Sequence, residues 1–299
     1  MRDRVGTRQS RPLGQEKEDN EMVNEGRPIR RVALVVAPAL AALAIAAVGA
    51  SAKSEAPGNP YNLKKPGTLV VGMNLQYKPQ MYLDAKGKPA GYDVVLLKAL
   101  AADMKVKLDI KNLDFNGLIP GLVSKKFDMV SVGLSATPER KKAVSFSRAY
   151  VPYAQILAMQ AGDSTPGTIA AWNNSDKTIT SLQGSTAEQL VKKTFPNATS
   201  KSFPDQNAAF LEVATERADG IVVENYLLAQ FSKSNPGKLK EAPFAKPLHV
   251  EYGSWAVQKG NFALVRRLNA FICKTQKSGK LGAYYKAAHG AKLPPMPAC

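Results

Sequence analysis

The alternation of short apolar runs with segments of helical spacing between Thr68 and Val132 constrains the fold more than any other feature of the sequence. Thr68-Leu69-Val70-Val71-Gly72 reads as a short buried strand, and Gly87 with Pro89 marks a turn before Tyr92. Val94 to Met104 then carries apolar residues at helical intervals, followed by the alternating strand Val106 to Ile110. A helix over Leu118 to Ser124 and a strand over Asp128 to Val132 complete the series. Strand, helix, strand and helix in this order predict a parallel sheet, because parallel strands need a crossover between them. Ligands of such sheets bind beyond the carboxyl ends of the strands, where the loops carry Tyr77, Ser135 and Arg140.

The rhythm restarts after Tyr150. Val151 to Met159 reads as an extended crossing segment, Thr178 to Leu182 as a strand, and Asp205 to Thr215 as an amphipathic helix. Gly220 to Val223 is a buried strand ending in Glu224, and His249 to Val257 is extended and returns the chain to its first half. Helices Ala263 to Lys277 and Leu281 to Ala288 close the chain, separated by a stop at Gly279. The expected fold is α/β with two lobes joined by two hinge strands, each lobe a mixed, mostly parallel sheet flanked by helices. Residues 67–158 and 252–299 would make one lobe and residues 159–251 the other. No internal repeat is evident.

Two helix starts carry chemistry. In Ser135-Ala136-Thr137-Pro138-Glu139-Arg140, Thr137 reads as the N-cap, Pro138 as the first helical residue and Glu139 as a favourable first-turn acid. Arg140 then sits beside free backbone N–H groups, and its planar fork matches a carboxylate. A surface arginine on an ordinary helix is the alternative. In Gly184-Ser185-Thr186-Ala187-Glu188, Ser185 and Glu188 have the spacing of a reciprocal capping box.

These motifs stand in a larger order. Gly91-Tyr92-Asp93, Phe115-Asn116-Gly117-Leu118-Ile119-Pro120-Gly121-Leu122, Lys125-Lys126-Phe127-Asp128-Met129-Val130, Ser135 to Arg140, Val144-Ser145-Phe146-Ser147 with Tyr150, and Gly184-Ser185-Thr186 follow one another along the chain. From about Thr68 to Gly290 the sequence resembles the periplasmic amino-acid-binding proteins of ABC importers, solute-binding family 3. The resemblance implies a periplasmic-binding-protein fold of the type II kind, with an amino acid trapped between the lobes. It implies that Arg140 and Ser135 hold the ligand's α-carboxylate together with Ser185 and Thr186, and that the Gly133 backbone faces the α-amino group. Tyr77 and Phe115 match the two aromatic walls. The family's ammonium partner, an aspartate five residues after Asp219, is Glu224 here, one methylene longer. Asn74, on the first loop where relatives that bind cationic side chains carry an acid, argues against lysine, arginine or histidine as ligand. The resemblance further implies delivery to an inner-membrane ABC permease, with no cofactor.

Composition excludes little but directs the choice. The formal net charge of +17 admits nucleic acid, an anionic membrane or an acidic solute, yet the basic residues are dispersed and no nucleic-acid motif accompanies them. A solvated basic surface and a monomer are expected. Arg27, Arg30 and Arg31 precede the apolar run Val32 to Val48, and Ala50-Ser51-Ala52 offers a cleavage site, so residues 1–52 read as an export leader. Met22 is an alternative start that gives the leader ordinary proportions, and an uncleaved anchor stays open. Export to a periplasm is expected. There Cys273 and Cys299 either bridge, for a stabilisation of about 3 kcal/mol, or remain one buried and one terminal thiol. His249 and His289 lack ligand spacing around them, and no metal site is expected.

Other classes need different features. A prephenate or arogenate dehydratase on the same scaffold would use a cleft carboxyl as general acid, and Glu224 is the residue that keeps that class in view. An extracytoplasmic sensor would carry a membrane span after Gly290, and Ala291 to Cys299 holds none. The expectation is a binding protein and not an enzyme.

Overall fold

The structure, a computed structural model, describes residues 58–299. The leader expected over residues 1–52 lies outside the described residues. The chain enters on β1 (Thr68–Met73), which is buried throughout. A small antiparallel sheet of β2 (Gln76–Tyr77), β3 (Met81–Leu83) and β4 (Pro89–Ala90) then leads into α1 (Tyr92–Met104) and β5 (Lys107–Asn112). A single 3₁₀ turn at Phe115–Gly117 feeds α2 (Leu118–Val123), β6 (Met129–Ser135), α3 (Pro138–Ala143) and the 17-residue strand β7 (Val144–Gln160). The second half runs α4 (Ile169–Trp172), β8 (Thr178–Leu182), α5 (Thr186–Thr194), β9 (Thr199–Phe203), α6 (Gln206–Ala214) and β10 (Gly220–Glu224). It continues through α7 (Asn225–Ser234), β11 (Leu239–Glu241), β12 (His249–Gln258), α8 (Phe262–Lys277) and α9 (Lys280–His289).

Nine strands are hydrogen-bonded in the order β5-β1-β6-β12-β7-β10-β8-β9, with β11 added to β7. Each half repeats one scheme. In the first, β1 lies between β5 and β6, parallel to both, and β6 meets β12 antiparallel. In the second, β8 lies between β9 and β10, parallel to both, and β10 meets β7 antiparallel. The halves join where β7 and β12 pair antiparallel from His249 opposite Gln155 to Gln258 opposite Val144. These are the two hinge strands of a two-lobed α/β fold. The repeated topology has no counterpart as a repeat in the sequence, because topology depends on where apolar runs fall and not on which apolar residues fill them.

Alternation builds the core. Along β10, Ile221 and Val223 join one apolar cluster and Val222 the other, as side chains that point to opposite faces must. The same alternation places Leu157 and Met159 of β7 on the second cluster around Trp172, with Ile156 and Ala158 on the first. Asp128, expected in a strand, precedes β6; its carboxylate accepts the N–H groups of Lys64 at 2.5 Å and Val70 at 2.7 Å. β6 extends instead to Ser135, where pairing with Gly253 of β12 carries it to the edge of the cleft. At the C-terminus Cys273 and Cys299 are bonded, with Cα atoms 5.6 Å apart, and Gln276 donates to the Pro297 carbonyl at 3.0 Å. No helix among the described residues is long and apolar enough to cross a membrane.

Candidate functional site

A cleft with about 480 Å³ of space not filled by protein atoms, part of it open to solvent, lies between the lobes. Tyr77, Phe115, Gly133, Ser135, Arg140, Ser185, Thr186 and Glu224 all line it. Asn74 does not. Its amide donates to the Leu113 carbonyl at 2.8 Å and its oxygen accepts from Gln76, so the side chain closes its own loop. The sequence argument against a cationic ligand rested on Asn74 in the first loop, and that side chain is not among those lining the cleft.

Arg140 is positioned by the start of α3. The Thr137 hydroxyl accepts the Arg140 N–H at 3.2 Å, the N-cap bond expected from the sequence, and Pro138 occupies the first helical position. The side chain is buried and crosses the cleft. One terminal nitrogen donates to the Ser135 carbonyl at 3.1 Å and the other to the Gly184 carbonyl of the second lobe at 3.1 Å. Its guanidinium carbon lies 5.8 Å from the centroid of the Phe115 ring. Burial pulls its pKa down to about 10, with Glu251 and then Glu224 pushing back, so it stays cationic at any physiological pH.

Opposite it, α5 starts as a modified capping box. The Ser185 hydroxyl accepts the Glu188 N–H at 3.1 Å, but the Glu188 carboxylate reaches the Gly184 N–H at 2.7 Å, one residue earlier than the reciprocal bond expected to Ser185. Gly184, with φ of 73°, turns its N–H outward to meet it, while the Ser185 N–H bonds to Leu182. Thr186 and Ala187, the first helical residues, line the cleft, and first-turn N–H groups have no partner within a helix.

Gly133 is fixed from below. Its φ of 62° suits glycine, and a Cβ there would fall 1.5 Å from the Tyr153 hydroxyl. Its N–H donates to the Tyr150 hydroxyl at 2.9 Å, and Tyr150 donates to Asp93 at 2.5 Å. Asp93 also accepts from Ser131 and Gln80. Burial pushes the Asp93 carboxyl up to about 6, with these hydrogen bonds pulling back. The Gly91-Tyr92-Asp93 motif therefore supports the cleft floor without entering the cleft.

Glu224 ends β10 and opens α7, and in the pairing with β7 it stands opposite Gln155. Burial of its carboxyl pushes it up to about 7; its own N–H pulls back, Glu251 pushes further, and Gln155 and Arg140 pull back. The sequence reading missed Gln155 and Glu251, on the two hinge strands. The Thr186 hydroxyl donates to Glu251 at 2.6 Å, and the Gln155 amide donates to Glu251 at 2.7 Å and to Thr186 at 3.0 Å. A signal was available: each is a strongly polar side chain inside a segment read as extended and crossing. Tyr153, Tyr226 and Gln206 also line the cleft, and the Gln206 backbone N–H donates across the lobes to the Gln76 side-chain oxygen at 3.1 Å. Among the described residues no group of three His, Cys, Asp or Glu side chains is arranged to hold a metal ion.

The arrangement is a cleft that brings together a cationic fork, a helix start and two carboxyls, one of which, Glu251, is bonded to the first residue of that helix. The model of the bacterial extracellular solute-binding proteins, family 3, matches residues 69–291. A probable histidine-binding protein of Neisseria gonorrhoeae is 28% identical over 271 residues, which cover 87% of this chain and 97% of that one. The arginine-binding extracellular protein of Bacillus subtilis (strain 168) is 31% identical over 71% of this chain and 82% of its own length. The crystal structure of an ancestral amino-acid-binding protein, a precursor of cyclohexadienyl dehydratase, matches with a TM-score of 0.69 at 31% identity, over 75% of this chain and 96% of that one. Over residues 69–291 this chain belongs to the bacterial extracellular solute-binding proteins of family 3.

Proposed function

We propose that this protein captures an L-α-amino acid in the cleft and delivers it to an ABC permease. Arg140 carries the reading: a buried, permanently charged fork reaches across the cleft to the residue that precedes the α5 start. A ligand carboxylate there takes charge-assisted bonds from Arg140, first-turn N–H groups of α5 and the Ser135 hydroxyl. The α-ammonium goes to the ionised Glu224 and toward the Gly133 backbone, with Tyr77 and Phe115 as walls. Relatives named for histidine and arginine support an amino acid as the ligand. Residues 67–158 with 252–299 act as one lobe and 159–251 as the other, in a monomer exported to the periplasm after loss of its leader. No cofactor or metal takes part.

A thermal-shift screen with the common L-amino acids tests this directly. A ligand at a hundred times its Kd stabilises the protein by about 2.7 kcal/mol. A screen in which no amino acid moves the transition would overturn the reading.

Glu224 gives the dehydratase class its one observation, a carboxyl that titrates at about 7 and can donate a proton. Binding is the better reading, since an ammonium is the natural partner of that carboxyl. Incubation with prephenate or arogenate is expected to release no phenylpyruvate or phenylalanine; turnover that disappears in Glu224→Gln would reverse the assignment.

A further inference from the structure

The charged side chains lining the cleft are Arg140, Glu224 and Glu251. If an amino acid binds as proposed above, its carboxylate satisfies Arg140 and its ammonium satisfies Glu224. Glu251 is then left as a buried carboxylate without a counter-charge. Both hydrogen bonds recorded to it, from Thr186 and Gln155, come from neutral donors onto the same oxygen, Oε1. They orient the carboxylate without cancelling its charge. Glu251 acts on the Arg140 guanidinium more strongly than Glu224 does, and a ligand carboxylate on Arg140 removes that compensation. A cleft whose charged lining is two carboxylates and one arginine is balanced by a ligand of net charge +1, not by a zwitterion.

The uncharged groups point the same way. Gln155 uses its amide nitrogen on Thr186 and Glu251, so its carbonyl oxygen is a buried acceptor with no donor. The Tyr77 and Tyr153 hydroxyls are also buried without partners and can accept. A guanidinium, ammonium or imidazolium brings donors and no acceptor, which suits the Gln155 carbonyl oxygen, while the tyrosine hydroxyls can take a donor or an acceptor. Phe115 and Tyr226 add aromatic surface, which attracts a cation where water is excluded.

We infer that Glu251 determines specificity and that the ligand is an amino acid whose side chain carries a positive charge. The inference rests on the amino-acid reading and narrows it. Thr186 and Gln155 serve as positioning residues that hold the Glu251 carboxylate toward the ligand's side chain.

Calorimetry with charged and neutral isosteres separates the outcomes. L-arginine is compared with L-citrulline, whose ureido group has the same shape and no charge, L-lysine with L-norleucine, and L-histidine and L-glutamine complete the panel. The tightest ligand is expected to be cationic and to bind at least about tenfold more tightly than its neutral counterpart, or than glutamine if it is histidine. In Glu251→Gln, shown by thermal unfolding to be folded, the ratio should fall to about threefold or less. A neutral amino acid as the tightest ligand, or an unchanged ratio in the folded variant, would overturn the inference and leave the amino-acid reading standing. If the variant does not fold, the wild-type ratio decides alone. Failure of every amino acid to bind would overturn the amino-acid reading itself.

Discussion

The helix starts of α3 and α5 face each other across the cleft, obey the same local rule and end with opposite chemistry. In both, a hydroxyl cap accepts the N–H three residues on, from Arg140 to Thr137 and from Glu188 to Ser185. In α3 the residue three after the cap is an arginine that leaves its helix and reaches the Gly184 carbonyl. In α5 it is a glutamate that folds back onto the Gly184 N–H. The two side chains thus grip the same peptide residue from opposite lobes. The first lobe contributes charge through a side chain, and the second contributes dipole through backbone N–H groups. Charge on a side chain can be deleted by substitution, while backbone donors can only be misplaced, so the two starts should fail differently.

The largest effect should come from Arg140. Arg140→Ala removes the proposed partner of the ligand's carboxylate and the bond to Gly184, and amino-acid affinity should fall about a hundredfold, roughly 3 kcal/mol. Arg140→Lys should lose nearly as much, since a point charge cannot reproduce the fork. Calorimetry on folded protein checks both, and near-wild-type affinity would remove the carboxylate clamp from this account.

The acid side gives the next effect. Glu224 must ionise to hold an ammonium, and its carboxyl titrates at about 7 against an ordinary 4.5. Affinity should therefore rise about tenfold per pH unit between roughly 5 and 7 and then level off. Without ligand the sign reverses for stability. The folded pKa is raised, so Glu224's contribution is fully present below pH 4.5 and is lost as pH rises through about 7, on the order of 3 kcal/mol in total. His289, which burial lowers to about 4, works against this by losing stability as pH falls from 6.5. Subtracting the pH profile of Glu224→Gln from that of the wild type isolates the glutamate; parallel profiles would contradict the burial argument.

The caps sharpen the comparison at lower magnitude. Thr137→Ala should cost about 1 kcal/mol of stability. Ser185→Ala should cost more, about 2 kcal/mol, because the Ser185 hydroxyl also donates to the buried Leu182 carbonyl at 2.7 Å. Urea denaturation measures both, and equal losses would mean that the Leu182 bond contributes nothing.

Much of this was legible in the sequence. Period and punctuation placed Thr178–Leu182, Gly220–Glu224 and both closing helices within a residue or so of their observed ends. The caps at Thr137 and Ser185 were visible because capping bonds join residues three apart. The short sheet of β2, β3 and β4 was not, since strands of two or three residues carry no period.

The sequence by itself determined the α/β rhythm, the helix starts and the arginine one turn inside α3, because each depends on forces acting within a few residues. Only the tertiary structure decided that the Asn74 amide bonds to the Leu113 carbonyl, away from the cleft. It also decided that Thr186 and Gln155 converge on Glu251 from 65 and 96 residues away. The Gln155–Glu251 contact follows from the pairing of β7 with β12, which no local pattern encodes. A carboxylate on a hinge strand becomes part of a site only when the lobes bring its partners to it.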